Sequence, residues 1–196
     1  MEENESVSMA RWARIMNKDN GYGGEFNHET SGDKEIVELA TAATWCEEMA
    51  RQFSVELANL RANNDDPPDC FVDFDGKTLD VELVQMINPD HKKRANKGES
   101  PHANPLFQDT QWHASRIRKE VDLLVDQKAQ KYAKRGVSID VLLIHTAEPW
   151  LYAAQIEEFL TNNTFVPHRG IANVFLLMGY DPSRKQWPLF KLYGDL

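Results

Sequence analysis

Residues 69–84 read DCFVDFDGKTLDVELV, and the dipeptide Asp75-Gly76 at their centre organises everything around them. Asp-Gly between two runs of alternating apolar and polar residues signals a tight β-hairpin, because both central positions of that turn need positive φ. A two-residue loop pairs Phe74 with Lys77, Val72 with Leu79, Phe71 with Asp80 and Asp69 with Glu82. Alternation then sorts the side chains. Cys70, Val72, Phe74, Leu79, Val81, Leu83 and Ile87 form a core face. Asp69, Asp73, Asp80 and Glu82 share the other face with Phe71, Val84 and Met86. Like charges directly opposite one another destabilise a sheet, so Asp69 facing Glu82 calls for a counter-charge. A divalent cation supplies one, since Mg²⁺ takes one or two carboxylates and completes its shell with water and phosphate oxygens. The plainer reading is a solvent face of an antiparallel hairpin. Val84 and Met86 on the acidic face argue instead for carboxylates in a cleft beneath a helix.

Upstream of the hairpin, the recurrence of Leu39, Ala43, Cys46, Ala50, Phe53, Leu57 and Leu60 predicts one long helix from Asp33, its N-cap, to about Arg61. The segment NNDDPP stops it, because a residue before proline is pushed out of the α region. Downstream, the polar residues 88–108 read as a loop, followed by a second helix from Thr110 to Arg135 that ends at Gly136. IDVLLI (139–144) is nearly continuous in apolar residues, as a strand covered on both faces should be. A helix over Leu151 to Leu160, the strand NVFLLMGY, a turn at Asp181-Pro182 and the segment WPLFKLY complete the chain. Pro188 assigns that last segment to a sheet edge. The expectation is a single α/β domain over residues 33–196, ordered α-β-β-α-β-α-β-β, with a central mixed sheet flanked by helices on both faces. Residues 1–32, with MARWARIM and the turn GYGG, form a tail and a segment without assignment.

The 196 residues carry a formal charge of -9, which argues against coating nucleic acid or an anionic membrane through the overall field but permits a local basic strip. Cys46 and Cys70 have no zinc-site spacing and read as buried free thiols of a reducing compartment, a disulfide between them being the alternative. The N-terminus lacks the features of a signal peptide, and no apolar run approaches the roughly 20 residues that span a bilayer. A cytoplasmic protein away from membranes is expected. His91, His102 and His113 show no metal-ligand spacing.

In the second helix, Ile117, Val121 and Leu124 form an apolar stripe with Lys128 near its centre and Lys131 and Tyr132 beside it. An inward lysine near carboxylates neutralises them and can stabilise charge on a transferring phosphate; the alternative is a snorkelling lysine at a helix end. Lys92, Lys93, Arg94 and Lys97 leave the second strand near the acids, as phosphate contacts or as an ordinary solvated run.

Pro68-Asp69, the hairpin, and Asp80-Val81-Glu82-Leu83-Val84 resemble the PD-(D/E)XK, or restriction-endonuclease-like, nuclease superfamily. A helix before the motif, a helix after it carrying QKAQKY (127–132) and an apolar strand extend the resemblance over residues 35–145. It implies a restriction-endonuclease-like fold and a Mg²⁺- or Mn²⁺-dependent nuclease hydrolysing phosphodiesters of DNA or RNA. It also implies Asp69 and Glu82 as metal-binding acids and, as many such enzymes pair to cut both strands, a homodimer. The motif lysine position holds Val84. Three readings follow: Lys128 or Lys131 reaches the site from the helix; Asp80-Val81-Glu82 is an acid-x-acid variant; or the site is inactive and the chain is a binding or regulatory module. Alternation points Gln85 away from Glu82, and Glu47 or Glu48 would be an assisting helix acid.

Overall fold

The computed structural model describes residues 26, 31–63, 65, 67–97, 111–148 and 150–196. The assignments made for residues 1–25, for His102 and Thr110, and for the end of the 88–108 segment lie outside these. Among the described residues ten helices and strands follow one another: α1 (Ser31–Glu48), β1 (Ala58–Ala62), β2 (Cys70–Phe74), β3 (Lys77–Gln85), α2 (Pro89–Asn96), α3 (Ala114–Ala133), β4 (Ile139–Thr146), α4 (Ala153–Asn162), β5 (Ile171–Met178) and β6 (Leu189–Tyr193). The six strands form one sheet in the order β1-β2-β3-β4-β5-β6. Neighbours β1–β2, β2–β3 and β5–β6 are antiparallel, while β3, β4 and β5 run parallel. The result is a single α/β domain around a mixed sheet.

The hairpin has the expected register: Phe74 pairs with Lys77, Val72 with Leu79 and Phe71 with Asp80. Asp75 and Gly76 take φ of 48° and 74°, the two positive values a tight primed turn demands. The parallel strands β4 and β5 are buried almost throughout, as their apolar runs require. β6 occupies the sheet edge, with Pro188 just before it.

Two apolar layers sandwich the sheet. Ala42, Trp45 and Met49 of α1 and its extension pack on Cys70, Val72, Val81, Leu83, Val141 and Leu143. On the opposite face, Ile117, Val121, Val125 and Ala129 of α3 and Ile156 and Phe159 of α4 cover Leu142, Ile144, Val174 and Leu176. Each fully buried Val, Leu, Ile, Phe or Met among them contributes about 1.5–3 kcal/mol relative to exposure.

The long first helix is a correction. It ends at Glu48, passes through a π-helical turn, Met49–Phe53, and is closed by Ser54 in the left-handed region at φ 57°. Leu57 precedes and Leu60 lies within β1, an edge strand that pairs with β2. The buried face of α1 is also rotated from the expected stripe, running through Val37, Thr41, Ala42, Trp45 and Met49. A second correction is α2, a helix where residues 88–108 read as a loop. The order among the described residues is therefore α-β-β-β-α-α-β-α-β-β. Among the described residues no helix is long and apolar enough to cross a membrane.

Candidate functional site

The acids of the hairpin meet where β3 leaves its pairing with β2 and enters the parallel part of the sheet. The β2–β3 ladder ends at Cys70–Val81, one step short of Asp69. Asn63 fixes the chain there: its N–H donates to Asp69 O at 3.1 Å, and its side-chain amide donates to Pro68 O at 2.9 Å. The Asp69 carboxylate continues the ladder in place of backbone, Oδ2 accepting the Leu83 N–H at 2.8 Å. Its side chain is only 7% exposed.

Glu82 lies on the α3 side of β3 and is 1% exposed. Lys128 of α3 donates from Nζ to Glu82 Oε1 and, at 3.2 Å, to the Leu83 carbonyl. Lys131, one turn further along the helix, brings its Nζ to 3.9 Å from the same oxygen. Among the described residues, the buried Glu82 Oε2 has no hydrogen-bond partner. A buried polar atom left unsatisfied costs about 1–3 kcal/mol, more when charged, and marks a place where a ligand would be welcome.

The wall opposite α3 comes from α1. Glu38 and Lys34 face Asp69, with Lys34 Nζ 3.0 Å from Glu38 Oε1 and 3.8 Å from Asp69 Oδ1. Burial, and then the neighbouring Glu82, push the Asp69 carboxyl above its ordinary range, against the Leu83 N–H and the two lysines that pull it down. Burial and the Asp69 charge likewise raise Glu38. Mutual influence of this kind is what a shared, partly dehydrated acid cluster produces.

These side chains line a cleft of about 350 Å³ that also reaches Gln85, Lys92 and His145. Four lysines (34, 92, 128 and 131) face three carboxylates (38, 69 and 82) in this lining, on a chain whose overall charge is -9. Lys92 of α2 donates to Gln85 Oε1 at 2.8 Å, and its partial burial lowers its pKa.

The structure thus brings Asp69, Glu82, Lys128 and Lys92 of the sequence-derived set together. Lys93, Arg94 and Lys97 point to solvent outside the cleft. Asp80 is also outside the lining and neighbours Asp140, whose Oδ2 accepts the Asp80 N–H at 2.9 Å. Glu47 is exposed. Glu48 is buried at the far end of α1, where it accepts from Arg51, Gln52 and the Trp187 N–H. The helix acid at the cleft is instead Glu38, which sequence reasoning missed together with Lys34. A stripe drawn through Val37, Thr41, Ala42 and Trp45 would have put both on the border facing Asp69. Gln85 lines the cleft despite its alternation, because the cleft wraps around the end of β3.

Among the described residues no group of three or more His, Cys, Asp or Glu side chains is placed to hold a metal ion. The Asp69–Glu82 pair nevertheless suits a hard cation that needs only one or two carboxylates and keeps its waters. Glu82 Oε2 offers the unused lone pairs, and the cleft has room for several waters at about 30 Å³ each. Cys46 and Cys70 are free thiols, Cys70 buried and Cys46 half-buried, and burial pushes both up to about 12. No family model matches the chain, and no curated protein or solved structure is significantly similar to it.

Proposed function

We propose that this chain is a divalent-metal-dependent nuclease of restriction-endonuclease-like fold that hydrolyses nucleic-acid phosphodiesters. The observation that carries the reading is Glu82: a buried carboxylate with one oxygen clamped by Lys128, the other unpartnered among the described residues, beside Asp69. The order of elements supports it, with α1 before the acidic hairpin, then α3 bearing the lysine and the buried strand β4.

Asp69 and Glu82 would hold Mg²⁺ or Mn²⁺. Such an ion supplies Lewis acidity and a bound water of lowered pKa. Lys128 takes the part of the lysine absent at Val84. Its ammonium is fixed between Glu82 and the Leu83 carbonyl, so it needs no reorganisation to stabilise negative charge developing on a phosphate. Lys131 and Lys92, on different walls of the cleft, contact flanking phosphates without reading sequence. Lys93, Arg94 and Lys97 extend that contact over the outer surface of α2.

A second reading has two observations of its own. Lysines already neutralise each acid of the cleft, and no three-residue metal group is formed among the described residues. This is what a catalytically inactive descendant, serving as a binding or regulatory module, would retain. Titration of Mn²⁺ by calorimetry into the wild type and the Glu82→Gln variant separates the two. Binding to the wild type that the variant abolishes supports the nuclease, and single- and double-stranded DNA and RNA are then assayed for cleavage. No binding to either protein removes the metal reading and leaves the module.

A further inference from the structure

Of the three lysines that approach the acids, Lys128, Lys131 and Lys34, the first and the last are held in very different ways. Lys128 is 19% exposed, spans Glu82 and the Leu83 carbonyl, and rises from a helix packed on the sheet. Lys34 is 46% exposed and stands at the cleft mouth, in the second turn's reach of Glu38 along the same helix. Asp69 presents its two oxygens unequally: Oδ2 is taken by the Leu83 N–H, so Oδ1 is the oxygen open to an incoming cation. Oδ1 is also the one that Lys34 faces, at 3.8 Å.

We propose that Lys34 is a displaceable counter-ion of this site, neutralising Glu38 and Asp69 until a divalent cation takes its place. The inference rests on the metal reading above and assigns a role to a residue of α1 that this reading does not need. The ammonium of Lys34 is half-exposed and stands 3.8 Å from a carboxylate that is itself largely buried, so its hold on Asp69 is a loose one that a dication, with twice the charge, replaces without leaving the acid unpaired. The flexible stem lets the ammonium swing into solvent while its methylenes stay against the helix surface. Released in this way, the charge stands at the rim, where a substrate phosphate arriving with the metal would meet it. Lys34 thereby opposes metal binding before loading and favours an anion afterwards. Lys128 behaves otherwise, because leaving Glu82 would strand a buried charge.

The test is Mn²⁺ calorimetry on the full chain as wild type, Lys34→Met, Lys34→Arg and Lys119→Met, each checked for folding by thermal melting. Lys119 is an exposed residue of α3 outside the cleft, and its substitution makes the same change in net charge. Lys34→Met is expected to tighten Mn²⁺ binding by about three- to tenfold, with Lys34→Arg and Lys119→Met within about twofold of wild type. Unchanged or weaker binding in Lys34→Met overturns the proposal, as does an equal gain in Lys119→Met. If the wild type itself binds no Mn²⁺, the metal reading falls and the role of Lys34 with it. If all four bind alike, only the role of Lys34 falls.

Discussion

Of two clefts that open among the described residues at neighbouring places along the parallel strands, the larger is the less eventful. The one at the ends of β4 and β5 has about 460 Å³, against about 350 Å³ for the cleft around Asp69 and Glu82. In the larger cleft the polar groups serve the fold itself. Glu148 Oε1 accepts the Asn88 N–H at 2.7 Å, Thr146 Oγ1 donates to the Met86 carbonyl at 2.8 Å, and Asp181 Oδ1 closes its own turn through Ser183. The smaller cleft brings like charges together, raises two carboxyls and leaves a buried oxygen unpartnered among the described residues. Volume does not separate the two clefts in character. Unspent hydrogen-bonding and electrostatic capacity does, and that capacity is what the proposed function draws on.

The largest effect that would break the comparison comes from Lys128. Lys128→Met removes the charge that holds Glu82 in its 1%-exposed position, and breaking a buried pair from one side costs about 3–5 kcal/mol. Denaturant unfolding should show that loss, and Glu82→Gln added to Lys128→Met should recover much of it. A single variant as stable as wild type would mean that Glu82 is hydrated, and the contrast between the clefts would dissolve.

Glu148→Gln is the matching change in the larger cleft. A neutral amide oxygen still accepts from the Asn88 N–H, so the expected loss is about 1 kcal/mol, the difference between a charge-assisted and a neutral hydrogen bond. Mn²⁺ affinity should not move. A Glu148→Gln variant that loses Mn²⁺ binding would relocate the metal site to the larger cleft.

What the sequence disclosed of this arrangement follows from the range of the interactions involved. The hairpin was legible because its register is set locally: Asp75-Gly76 fixes the turn, and the period of two fixes every face after it. Lys128 was legible through helical periodicity, which runs from Ile117 to the cleft. The end of α1 was not, since no glycine or proline follows Glu48 before Pro67, and Leu57 and Leu60 keep a helical spacing while serving an edge strand. Tertiary pairing with β2 overrides local propensity there. Glu38 and Lys34 were lost for the same reason, because the α1 stripe was set by residues on its flank. Their partnership with Asp69 spans more than thirty residues of chain and exists only once α1 lies across the sheet.

The smallest effect sharpens the comparison most, because it has an unusual sign. Burial and Glu82 raise the Asp69 carboxyl above its ordinary value of 3.8, so the folded state holds that proton more tightly than the unfolded chain does. Below 3.8 the group is protonated in both states and imposes no penalty. As pH rises through the raised folded value the carboxylate must charge beside Glu82 and Glu38, and metal-free stability falls. Lys34 and Lys128 face the same group and reduce the penalty without reversing it. Asp69→Asn keeps an oxygen for the Leu83 N–H and removes the charge, so the metal-free variant should be more stable than wild type near neutral pH, by up to about 1 kcal/mol. The gain should vanish in acid. Chemical denaturation of both proteins across that range, in chelator, measures it. Saturating Mn²⁺ should invert the order, since only the wild type gains binding energy on folding. A wild type that is the more stable protein at neutral pH without metal would make Asp69 a structural ladder residue, and the smaller cleft would then be as fully spent as the larger one.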